Sequence, residues 1–334
     1  MNMSKYMEHP AAFALIVFAS VLFLTPCVHA EDDFIARYGA EFMAGGGGAR
    51  AQAMGGAQTA VAGDVWSFFW NPANVGSVKI NQAGFTHSER FDGAVDYDVA
   101  IAAFPQKDGS TLSLGMIRLG VNGVEFTEKE ITGDPLSDLN RVVVDKVVNE
   151  AEYAFYFGRT FSLKNWHIGV SPKLIFKHFG WEHRAYGLGL DAGIVGRPIE
   201  KLPLTAGLSV QDVLGTPIAW ETTGRKEIIV STLRAGLAAE ITIAALDAVV
   251  RPVGDVSYRL ESAGESEALA FNVGLEYLVS QAVALRIGDD EGKFTFGGGI
   301  SLKPLDVDYA FYEHDDLGAT HRVSITVRWG GEIR

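Results

Sequence analysis

The stretch Leu305-Asp306-Val307-Asp308-Tyr309-Ala310-Phe311-Tyr312 decides the fold, because its odd positions are apolar and its even positions are mostly acidic or small. After a break at Asp315, Asp316, Leu317 and Gly318 the alternation resumes. His321, Val323, Ile325, Val327 and Trp329 take one face, and Arg322, Ser324, Thr326 and Arg328 the other. Successive side chains of a strand point to opposite sides of a sheet, so each strand here has one greasy face and one polar face. In a water-soluble sandwich the polar face meets solvent. In a membrane barrel the greasy face meets lipid and the charges line the lumen.

Working outward from this hairpin, period-two segments recur at 79–89, 94–104, 110–121, 150–160, 165–178, 184–197, 202–213, 227–241, 246–260, 267–279, 281–289, 292–302, 304–313 and 319–329. Most are close to the ten residues that a tilted membrane strand needs. Connections at Lys107–Gly109, Ser162–Lys164, Pro198–Lys201, Val279–Gln281 and Lys303-Pro304 are short, whereas 122–149 and 214–226 are long. Short turns on one side and long loops on the other are expected of an outer-membrane barrel, and an even strand count puts both termini on the periplasmic side. The expected fold is therefore all-β, a transmembrane antiparallel barrel of about fourteen strands. A net charge of −13 argues against nucleic acid as a partner, since that requires clustered cations. Glycine, at 38 residues, fits a wall that has to bend and to admit close neighbours.

Residues 1–30 read as a secretory signal peptide: Lys5 near the start, an apolar run from Ala11 to Leu24, then Val28-His29-Ala30 before a cleavage expected ahead of Glu31. The apolar run is too short for a comfortable membrane helix. Cleavage would remove Cys27, the single cysteine, leaving no thiol nucleophile, disulfide or cysteine-bound metal. No second hydrophobic helix follows, so a membrane would have to be crossed by strands, whose backbone groups pair among themselves.

Residues 31–76 differ from the rest, which at 77–334 form the expected barrel. The run Gly45–Gly48 leads into Ala49-Arg50-Ala51-Gln52-Ala53-Met54-Gly55-Gly56-Ala57, too broken by glycine for a long regular element. Asp64 then caps an aromatic run, Trp66, Phe68, Phe69 and Trp70, which Asn71-Pro72-Ala73 ends. Such a segment cannot span a membrane, but it can fold into a barrel mouth as a plug. The motifs Ala49-Arg50-Ala51, Met54-Gly55-Gly56-Ala57, Thr59-Ala60-Val61-Ala62-Gly63-Asp64 and Asn71-Pro72-Ala73 resemble the N-terminal signature of PorV/PorQ-type outer-membrane proteins, a branch of the FadL-like barrels. The runs Leu285-Arg286-Ile287-Gly288, Gly297-Gly298-Gly299, Asp308-Tyr309-Ala310-Phe311 and Thr320-His321-Arg322-Val323-Ser324 are similar to the end of the same family. The resemblance implies fourteen strands behind an N-terminal hatch, and a kink in the third strand through which greasy substrate leaves sideways.

Apolar rows expected to face outward are Tyr97, Val99 and Ile101; Tyr153, Phe155 and Phe157; Trp166, Ile168, Val170 and Leu174; and Leu269, Phe271, Val273, Leu275 and Tyr277. Asp96, Asp98, Lys173, Lys177, Asp191, Arg234, Glu240, Arg251, Asp255, Arg259, Glu276, Asp306, Arg322 and Arg328 are expected inside. In the third strand Leu112, Leu114 and Met116 share one face while Ile117, Leu119 and Val121 share the other, a slip of phase at Met116-Ile117 that a β-bulge would produce. This is the candidate lateral gate. Gly55, Gly56, Asn71 and Pro72 are the candidate hatch residues, shaping its turns and gating substrate.

Chemistry is otherwise scarce. His87, His167, His178, His183, His314 and His321 lack metal-ligand spacing, and Asp308 and His321 fall on opposite faces. No Gly-Xaa-Ser-Xaa-Gly elbow, phosphate loop or zinc motif occurs, so no catalytic residue, metal or cofactor is expected. The reading is a non-enzymatic barrel of the bacterial outer membrane, in contact with its lipid. Its expected function is passive uptake of hydrophobic small molecules; a greasy lumen pocket beneath the hatch would favour it, and a sealed polar lumen with ordered long loops would favour its alternative. The alternative is a PorV-type secretion accessory that binds secreted proteins through loops 122–149 and 214–226.

Overall fold

The computed structural model describes residues 41–91, 93–130, 140–180, 182–260, 269–314 and 318–331. The expected signal peptide and the first part of the expected hatch lie outside the described residues. Seventeen strand segments form one sheet: β1 (Asn81–Arg90), β2 (Val95–Pro105), β3 (Ser110–Lys129), β4 (Val142–Leu163), β5 (Trp166–Phe179), β6 (His183–Gly196), β7 (Leu204–Gln211), β8 (Thr216–Trp220) and β9 (Lys226–Ile229), followed by eight more. These are β10 (Thr232–Ala239), β11 (Ile241–Ile243), β12 (Ala248–Arg259), β13 (Leu269–Val279), β14 (Val283–Asp290), β15 (Lys293–Leu302), β16 (Leu305–His314) and β17 (Gly318–Trp329). All pairings are antiparallel, and β1 pairs with both β2 and β17, so the sheet closes on itself. Segments β7 and β8 are one interrupted strand, since both pair with β6, and β9 to β11 are the next one. Counted this way, the wall has fourteen strands.

The hairpin that opens the reading pairs Leu305 with Val327 through His314 with Gly318. Phe271 is 62% exposed, and Val323, Ile325 and Val327 are exposed too. Lys173, Asp191, Asp255, Glu276, Asp306 and Arg322 are buried inside. An exposed apolar belt around a buried polar lumen is the inverse of a soluble domain. Phe104 and Trp329 meet edge to face, centroids 6.3 Å apart, at the near end, where the chain enters and leaves the wall. At the far end Phe176 packs on Tyr186 at 5.4 Å. Aromatic rings suit the half-wet boundary on either side of hydrocarbon.

Three expectations need correction, and one cause accounts for two of them. Tyr97, Val99 and Ile101 point inward and are buried, because here the lumen is filled by aromatic side chains rather than by water. For the same reason Ile117 belongs to the inner face and Met116 to the outer one, and alternation is unbroken through both. The register runs continuously from Asp96↔Gly120 to Pro105↔Thr111 on one side of β3, and from Ser110↔Phe161 to Val121↔Glu150 on the other. There is accordingly no bulge at Met116-Ile117. Register shifts in β3 fall later, between Val121 and Val124 and between Phe126 and Thr127.

The third correction is that Asp98 faces outward, and Asp96, two residues away, shares that face. Asp98 Oδ2 accepts from Arg118 Nη1 at 2.8 Å and Asp98 Oδ1 meets His87 Nδ1 at 2.7 Å. This small charged group at the far boundary neutralises itself in place. Much of the expected long loops is sheet. β3 and β4 run past the barrel rim as a hairpin, and 214–226 contains β8 and the start of β9.

The main break in the wall lies between β7 and β8, where Asp212, Leu214 and Gly215 all have positive φ. Side chains supply what the ladder loses. Asp212 N donates to Asp191 Oδ1 (2.8 Å), Gly215 N to Ser231 Oγ (3.3 Å) and Ser231 Oγ to Asp212 O (2.6 Å). Lys173 Nζ sits 2.8 Å from both Asp191 and Asp212, so this buried cation is compensated by two carboxylates.

Spin labels placed singly along residues 112–117, in a Cys27→Ser background, are expected to show oxygen accessibility alternating strictly, high at 116 and low at 117. Two adjacent positions of equal accessibility would restore the bulge. Ile325→Arg, which puts a cation on the lipid face, is expected to lower unfolding stability by roughly 2–4 kcal/mol if it sits near the bilayer midplane, as read from denaturant titration.

Candidate functional site

Residues 41–78 lie inside the barrel and make up its one internal feature among the described residues. The chain makes a 3-10 turn at Glu41–Met43, a single helical stretch α1 (Ala49–Ala53), and 3-10 turns at Val65–Phe69 and Asn74–Ser77. Small residues explain the first part, since Ala49, Ala51 and Ala53 leave α1 thin enough to lie against β14 to β17. Asp64 starts the aromatic turn by accepting from Trp66 N at 3.0 Å. A short polar side chain before a turn of helix satisfies a backbone donor that would otherwise have no partner.

The four expected hatch residues sit at two separate contacts with the wall. Gly55 and Gly56 have φ of +63° and +72° and lie against β13 and β14. A Cβ on Gly55 would overlap the carbonyl of Asp289, so this position requires glycine for space as well as for conformation. Gly55 O accepts from Asn272 Nδ2 at 2.8 Å, and Gly55 N donates to Thr295 Oγ1 at 3.1 Å. Asn71 and Pro72 lie against β4 to β7. Asn71 Nδ2 donates to Thr59 O (2.9 Å) and Ile194 O (3.1 Å), while its Oδ1 accepts from Ala73 N (3.0 Å). Pro72 O accepts from Thr160 Oγ1 at 2.6 Å. Wall glycines make both contacts possible: side chains at Gly169, Gly193 and Gly288 would collide with Pro72, Asn71 and the Met54-Gly55 backbone. The internal segment thus braces the barrel from one wall to another. Met116 and Ile117, on β3, belong to neither contact.

The inward charges of both signs, which the sequence expects to pair into a network holding the wall in shape, do so around Glu276; Arg50 and Asp64 of the internal segment and Arg286 are members it did not name. Arg50 reaches Glu276 through Nε (2.8 Å) and Nη2 (2.9 Å) and Asp64 through Nη1 (2.6 Å). Glu276 also accepts from Arg286 Nε (2.7 Å) and from Arg251. Arg286 goes on to Asp308 (2.6 Å) and Arg251 to Glu240 (2.8 Å). Forked arginine–carboxylate pairs of this kind are among the stronger hydrogen bonds available. Asp255 adds a second tether, accepting from Gln58 N and Thr59 N, both at 2.8 Å. The alternation of β13 and β14 placed Glu276 inside, but Arg50 stands in an irregular segment whose partner no periodicity could name.

The hatch is not polar throughout. Trp66, Phe68, Phe69 and Trp70 are buried against Tyr97, Val99, Ile101, Ile117, Tyr156 and Ile175. Phe69 and Tyr156 meet edge to face at 5.3 Å, and Trp66 Nε1 donates to Thr326 Oγ1 at 2.8 Å. Ile218 on β8 belongs to the same packed cluster, with Trp220 against it, so an apolar strip extends from the internal segment toward the far end. Cavities of about 480 Å³ and 420 Å³ at the near end have mixed linings: Arg50, Glu276 and Arg328 beside Trp66, Leu278 and Ile300 in the first, and His167, Arg197 and Glu240 beside Val61 and Val195 in the second.

Because Glu276 holds three arginines, Glu276→Gln is expected to cost about 3–5 kcal/mol of unfolding free energy, the cost of breaking a buried ion pair from one side. Asp108→Asn, at an exposed turn, is expected to shift the midpoint far less. Denaturant midpoints of the two variants in the same detergent make the comparison.

No family model and no curated protein matches the chain. Among solved structures it is similar to the toluene transporter TodX of Pseudomonas putida (13% identity, 85% of this chain and 98% of that chain, TM-score 0.55). A FadL homologue of Pseudomonas aeruginosa gives 9% identity, 86% and 99% coverage and a TM-score of 0.54. A TodX mutant described as a monoaromatic hydrocarbon channel gives 12%, 85%, 98% and 0.53. At these identities the likeness is one of fold. The chain shares the fold of these structures, a closed barrel wall of fourteen antiparallel strands.

Proposed function

We propose that the protein is a passive conduit for hydrophobic small molecules across a bacterial outer membrane, with both termini on the periplasmic side. The observation that carries this reading is the apolar strip inside the wall, from Trp220 and Ile218 at the far end to Phe68, Phe69 and Trp66 on the hatch. A water-filled porin has no use for such a strip, whereas a greasy solute needs one, because each apolar surface it touches replaces contact with water. The similar structures named for toluene, for monoaromatic hydrocarbons and for FadL support the same substrate class.

In this reading the hatch is the gate. Its aromatic turn covers the inner end of the strip, and its two contacts with the wall, at Gly55-Gly56 and at Asn71-Pro72, hold it in place. Onward passage runs through the hatch and the near-end cavities rather than through a bulge at Met116-Ile117. The finer PorV/PorQ resemblance rests on the sequence motifs alone. The secretion-accessory alternative has no support among the comparisons.

The test is transfer of toluene and of a neutral fluorescent hydrocarbon into vesicles whose outer leaflet is lipopolysaccharide, which retards such solutes. Barrel-containing vesicles are expected to fill at least several-fold faster than protein-free ones. The double change Trp66→Ala and Phe69→Ala, which thins the gate, is expected to raise the rate further. Equal rates with and without the barrel would defeat the proposal.

A further inference from the structure

At the far end of the lumen, three inward side chains on the closing seam carry polar atoms with no partner. They are Arg90 Nε at the end of β1, and Arg322 Nη2 and Thr320 Oγ1 on β17. The register explains their convergence. Ser88 lies opposite Arg322 on one side and opposite Tyr97 on the other, and Arg90 and Thr320 stand one inward step further along the same two strands. Both guanidinium groups lie over the ring of Tyr97, Arg90 at 4.4 Å and Arg322 at 5.2 Å from its centroid. Arg322 and Thr320 are fully buried.

Most other cations of the lumen are treated differently, Arg234, which donates to Gln211 Oε1 at 2.9 Å, being an exception. Arg50, Arg251, Arg286, Arg328, Lys173 and Lys177 each hold a carboxylate. Among the described residues, neither Arg90 nor Arg322 forms an ion pair. Arg322 donates only to neutral oxygens, Ser88 Oγ at 2.8 Å and Gly45 O at 3.2 Å. Asp290, whose charge reaches Arg322, is itself bound by Asn272 at 2.8 Å. Two neighbouring buried positive charges without a counter-charge are expensive to maintain, since desolvation and mutual repulsion act together. An oxyanion placed among them would relieve both and would accept hydrogen bonds from the three unpartnered donors.

We propose that Arg90, Arg322 and Thr320 form a binding site for an oxyanion, a carboxylate or a phosphate. The same chemistry is offered by a free ion and by the head group of an amphiphile. The site stands apart from the gate contacts at Gly55-Gly56 and Asn71-Pro72 and does not depend on what the conduit carries.

The test is calorimetric titration of the full barrel in amphipol with acetate, inorganic phosphate, decanoate, decyl phosphate and decanol. At least one anion is expected to bind, and to bind at least tenfold more weakly in Arg90→Gln, in Arg322→Gln and in the milder Thr320→Val. Arg159→Gln, which removes an exposed cation at the other end, is expected to bind normally. Binding of the short anions would identify a free ion as the ligand, and binding of the long-chain anions alone would identify a head group. Arg90→Gln and Thr320→Val keep the test decisive if Arg322→Gln fails to fold. No binding by any anion would overturn the site, as would decanol binding as tightly as decanoate or affinities unchanged in all three variants.

Discussion

A strand surrounded by lipid has nowhere to place its backbone N–H and C=O groups except on another strand, and the rest of the molecule follows from that constraint. An open sheet would leave two edges unpaired, so β1 must find β17, and the register Asn81↔Trp329 to Glu89↔His321 closes the cylinder. Where the ladder is interrupted, other groups take over its hydrogen bonds. The kink at Asp212–Gly215 is tolerated because Asp191 and Ser231 fill the vacant positions and Lys173 holds the two acids together. At Pro172, which has no N–H to offer, the pairing of β4 with β5 skips from Tyr156↔Lys173 to Arg159↔Val170.

Closure in turn creates an interior that has to be filled. A fourteen-strand cylinder is too wide for its own side chains to meet across it, and here the N-terminal segment takes up the space. Its two kinds of surface match two kinds of wall: arginine and backbone amides meet the acids of β12 to β16, while tryptophan and phenylalanine meet the apolar inner faces of β2 to β6. The lumen is therefore two-sided.

The same division marks what the sequence could and could not reveal. Strand positions and strand number were readable, because alternation depends only on neighbours along the chain. Facing was readable for β13 and β17, where the inner wall is polar. It failed for Tyr97, Val99 and Ile101, because a period of two distinguishes faces without saying which is inside once the lumen is itself greasy. The supposed slip at Met116-Ile117 came from the same source, as Ile117 and Leu119 are apolar toward the hatch and Met116 is apolar toward lipid. Gly55, Gly56, Asn71 and Pro72 were identified as shaping residues from their types alone. Arg50 with Glu276, and Arg322 with Arg90, needed three dimensions, since their partners lie more than two hundred residues away in the chain.

The last strand also anchors the interior. Ser324 Oγ receives Ala49 N, Thr326 receives the Trp66 indole and Arg322 reaches Gly45 O, so β17 is tied to the N-terminal segment at three heights. Sealing the cylinder and filling it thus share the same residues, so a chain without its interior segment would keep the β1–β17 ladder but leave the inner side chains of its last strand without these partners.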